Sequence, residues 1–141
     1  MTEKDYAVEL WYAGFYDSRD GHFSKARKKL REALKGLMER EDWDQAAWIV
    51  LDIVLTYLQE GDIESARKEF LDIENTSLVT TWAGNTMKCL LRALEPPSRT
   101  KTITMLQEVF MDMQIYFAKA APNHPPEYRL MFWRILESMG W

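Results

Sequence analysis

Few side chains in this sequence can make or break covalent bonds. Cys89 is its single thiol, and His22 and His124 are its only imidazoles. Nucleophilic catalysis needs a base within hydrogen-bond reach of the nucleophile. Cys89 instead follows a helical pattern among apolar neighbours such as Leu90 and Leu91, the setting of a core thiol. His22 falls in an Asp-Gly turn and His124 among prolines, at opposite ends of the chain and without clustered acidic or thiol ligands. The run Asp17-Ser18-Arg19-Asp20-Gly21 has the outline of a calcium loop. Tyr16 and Ser18 stand where carboxylates are needed, however, and Arg19 repels a cation. Asp42 and Asp44 flank a helix start, where negative charge favours the dipole. No glycine-rich phosphate loop is present. These residues predict no catalytic, metal or cofactor site, so the chain reads as a non-enzyme.

Contact chemistry is better supplied. Aromatic residues make up 13% of the chain and include six tryptophans, side chains that dominate binding hot spots. Lys25, Arg27, Lys28, Lys29, Arg31 and Lys35 form a basic run, but the formal net charge is -4. An acidic total speaks against nucleic acid, and the run reads as a solvated helix face paired with Glu32 and Glu39. Eight methionines, five of them Met105, Met111, Met113, Met131 and Met139, could serve as adaptable contacts or as core filling.

Helices must position these groups. Hydrophobic residues reach 47% and charged residues 28%, a globular balance. Breakers cluster at Asp20-Gly21, Gly61-Asp62, Asn75 to Ser77, Pro96-Pro97-Ser98 and Pro122 to Pro126. Between them, apolar spacing predicts helices over 4–18, 22–40, 43–59, 62–74, 77–95, 99–120 and 126–139. Asp42 and Asp62 are candidate N-caps. The third helix is apolar nearly all round, with only Gln45, Asp52, Thr56 and Gln59 polar, and must be covered on several sides. The expectation is one all-α domain over 1–141. It is built from antiparallel hairpins at 4–40, 43–75 and 77–120, and a capping helix at 126–139 presents Tyr128, Met131, Phe132, Ile135 and Met139.

A repeat runs through the first half. Gly21-His22-Phe23-Ser24-Lys25-Ala26-Arg27-Lys28-Lys29-Leu30 aligns without gaps on Gly61-Asp62-Ile63-Glu64-Ser65-Ala66-Arg67-Lys68-Glu69-Phe70, an offset of 40 residues. Turn glycine, bulky apolar residue and alanine recur at fixed spacing. This resembles the middle of a tetratricopeptide repeat, with Gly21, Phe23, Ala26 in one hairpin and Gly61, Ile63, Ala66 in the next. Gly14, Ala33 and Tyr57 fit further family positions. The family period is about 34 residues, so the connection through Met38 to Asp42 is expected to be longer than usual. Asp17 and Val54 depart from the family pattern, as does the missing late proline. Only the apolar spacing of Ile103, Leu106, Phe110, Met113 and Phe117 supports a third hairpin.

The resemblance implies a right-handed α-solenoid whose concave face, lined by the first helix of each hairpin, holds a ligand. On this chain that face would carry Val8, Trp11, Tyr12, Phe15 and Arg19, then Trp48, Asp52, Leu55 and Gln59, then Trp82 and Asn85. Aromatic and aliphatic residues fill most of these positions, which argues against a carboxylate clamp. The expected function is an adaptor or chaperone-like module that binds a protein, as a peptide or amphipathic helix, in an apolar groove. The competing expectation is a structural subunit, self-associating as a homo-oligomer or built into a larger assembly such as a ribonucleoprotein. The charged start Met1-Thr2-Glu3-Lys4-Asp5-Tyr6 lacks the apolar stretch of a secretory signal. A lone cysteine suits a reducing compartment, and no apolar run is long enough to span a bilayer. A cytoplasmic location is expected.

Overall fold

A computed structural model of the protein describes residues 3–96 and 98–104. All described regular structure is helical, without a strand among the described residues. The order is α1 (Glu3–Arg19), α2 (Phe23–Glu39), α3 (Trp43–Gln59), α4 (Ile63–Ile73), a short 3-10 turn over Ser77–Thr80, and α5 (Trp82–Ala93). Contacts divide the chain into two compact units, Met1–Lys88 and Cys89–Trp141.

In the first unit, consecutive helices pack against one another: α1 on α2, α2 on α3, α3 on α4. The cause is visible in each apolar stripe. In α2, Ala26, Leu30, Ala33 and Leu37 recur at helical spacing and are fully buried, each leucine worth about 1.5–3 kcal/mol relative to exposure. Gly14 of α1 meets this stripe, since a Cβ there would stand 2.9 Å from Leu30 Cγ and 3.1 Å from the Ala26 carbonyl. From Ala46 to Thr56 every residue of α3 is buried, so the helix that reads as apolar all round is covered all round.

Three turns join these helices, and all three are the same. Gly21 N–H donates to Ser18 O and His22 N–H to Asp17 O; Glu41 N–H donates to Met38 O and Asp42 N–H to Leu37 O; Gly61 N–H donates to Leu58 O and Asp62 N–H to Tyr57 O. This pair of bonds is the Schellman motif, which needs a left-handed residue. Gly21 (φ 83) and Gly61 (φ 81) supply it in two turns, and Glu41 (φ 59) supplies it in the other. The connection through Met38 to Asp42 is therefore not long. The repeat is stretched by its helices, since α1, α2 and α3 have 17 residues each. Asp42 and Asp62 cap α3 and α4 by accepting from the backbone N–H of Gln45 and Ser65, whereas His22 makes no side-chain cap.

The helix expected over 77–95 is broken. Thr81 is extended (ψ 166), and its hydroxyl accepts from Gly84 N–H at 3.1 Å while donating to Leu78 O at 2.6 Å. A β-branched run with hydroxyls that bond nearby backbone competes with helix here. Gly84 allows the close approach that follows, since a Cβ would stand 2.2 Å from Leu78 O.

In the second unit, residues 99–104 are helical. Buried Thr102 Oγ1 donates to Ala93 O at 2.6 Å, and Arg99 Nε donates to Leu94 O at 2.8 Å, tying that helix start to the end of α5. The expected extension of this helix to residue 120, the third hairpin's apolar spacing from Leu106 on, and the capping helix over 126–139 lie outside the described residues. Among the described residues no helix is long and apolar enough to cross a membrane.

Candidate interaction surface

The first helices of the two hairpins, α1 and α3, touch along a seam. Trp11 Nε1–H donates to Asp52 Oδ2 at 2.6 Å in the interior of this seam, and Gln59 Nε2 reaches Ser18 Oγ at 3.5 Å near its end. The indole bond explains how an acidic residue tolerates burial in α3, because a carboxylate removed from water needs donors.

The expected contact residues divide by exposure. Trp11, Phe15, Trp48 and Leu55 retain only 4%, 7%, 8% and 4% of their surface, and Asp52 6%. These five are interior groups. Tyr12, packed against the Trp11 ring at 6.5 Å between centroids, is half-buried, as are Val8 and Gln59. Asn85 is exposed on α5. The side chains of Arg19 and Trp82 lie outside the described residues. The aromatic positions expected to line an open groove are thus largely buried, and Val8, Tyr12 and Gln59 are the described members of the α1–α3 set with accessible surface.

A second constellation joins α2 to its neighbours, and sequence reasoning missed it. Arg27 Nη1 donates to Thr56 Oγ1 at 3.1 Å, pairs with Glu60 at 2.6 Å, and its guanidinium lies 4.2 Å from the Tyr57 ring centroid. One turn on, Arg31 donates to Tyr57 Oη at 3.3 Å and pairs with Glu69. The Glu69 hydrogen bond pushes the Arg31 guanidinium above its ordinary pKa, against the opposing effect of burial. Lys29 pairs with Asp17 of α1 at 2.6 Å. These partners sit on α1, α3 and α4, not at Glu32 and Glu39 of the same helix as the spacing suggested. Half of the basic run, Arg27, Lys29 and Arg31, is occupied in this way, and Lys25, Lys28 and Lys35 are exposed. Arg27 and Arg67 occupy the same position of the repeat, but that equivalence does not reveal the partners, since Arg67 pairs with Glu64 of its own helix.

Chemically, these sites offer hydrogen bonding and shape. Among the described residues no group of three or more His, Cys, Asp or Glu side chains could hold a metal ion. Comparison of the chain with family models, with curated proteins and with solved structures finds no match.

Proposed function

We propose that this protein is a non-catalytic interaction module of divergent tetratricopeptide type, and that its partner, a peptide or amphipathic helix, lies along the α1–α3 seam. The seam itself carries the reading. Two first helices are pinned side by side by Trp11 and Asp52, with half-exposed Val8, Tyr12 and Gln59 along the join. A rigid, pre-formed track of this kind lowers the entropic cost of ordering a ligand. The repeat lineage is supported by the glycines at Gly21 and Gly61 in left-handed turns and by the tight crossing at Gly14. Tyr12 would supply the aromatic contact, while Trp11, Trp48 and Phe15 hold the track in shape.

The test separates contact from scaffold. Tyr12→Ala combined with Val8→Asp should remove the proteins that copurify with the unaltered chain, while helicity and melting temperature change little. An unaltered set of copurifying proteins would defeat the seam as a binding surface.

A further inference from the structure

We draw no further inference here: the strongest candidate, the outward face of α4 around Leu71, which is 61% exposed between exposed Lys68 and Asp72, carries nothing because nothing in the structure shows what covers it.

Discussion

Replacing Glu41 with glycine should make this protein more stable through backbone conformation alone. Its backbone stands at φ 59, between two hydrogen bonds that close the α2–α3 turn. A left-handed conformation costs an L-residue about 1–2 kcal/mol, while glycine brings an entropy penalty on folding of about 0.5–1 kcal/mol. The difference leaves a gain of roughly 0.5–1 kcal/mol, or about 1–4 °C in melting temperature for a chain of this size. Glu41 also lies between the C-terminus of α2 and the N-terminus of α3, where the helix dipoles act on its charge in opposite senses. Glu41→Ala, which keeps a Cβ and loses the charge, isolates that contribution. The converse substitutions are clean controls: a Cβ at Gly21 or Gly61 meets nothing within 4 Å, so Gly21→Ala and Gly61→Ala should each cost about 1 kcal/mol through backbone conformation alone. Urea midpoints read by helical circular dichroism give all four values. If Glu41→Gly is no more stable than Glu41→Ala, the shared-turn reasoning is refuted.

Two further outcomes follow from specific bonds. Trp11→Phe removes the indole donor from buried Asp52 and should cost about 1–3 kcal/mol; in an Asp52→Leu background the same change should cost clearly less, and equal costs in a double-mutant cycle would show that the bond does not stabilise. Asp62 has a carboxyl pKa below its ordinary value, first because Ser65 Oγ and then Ser65 N–H donate to it. A depressed folded-state pKa gives stability that is present above the unfolded carboxylate range and lost as pH falls through the folded value. Asp62→Asn should therefore flatten the acid limb of the stability profile, and an identical acid limb in the variant would remove Asp62 from the account.

Helices α1 to α4 were legible because each signal in them is local. Apolar spacing fixed their faces, Asp42 and Asp62 marked two starts, and Gly21 and Gly61 marked two turns. Glu41 escaped notice because a turn whose left-handed residue is not glycine carries no breaker. The break at Thr81 escaped for a related reason: it depends on which hydroxyl accepts Gly84 N–H, while the apolar pattern on either side continues.

The candidate surface was legible only in part. The offset of 40 residues and the aromatic positions of α1 and α3 can be read from residue order, and they put Tyr12 and Val8 on the seam. Residue order could not divide these positions into contact and scaffold. Trp11 and Tyr12 are adjacent aromatics on one helix, yet one is 4% exposed and hydrogen-bonded to Asp52 and the other keeps part of its surface. In the same way, the basic run of α2 was plain in the sequence, but the partners of Arg27 and Arg31 lie on helices 26 to 38 residues away. The shortage of thiol and imidazole groups, the helical spacing and the repeat belong to the sequence, because they depend on residue type and local periodicity. Burial and partnership were decided by the packing of α1, α2, α3 and α4, because they depend on which faces of distant segments meet.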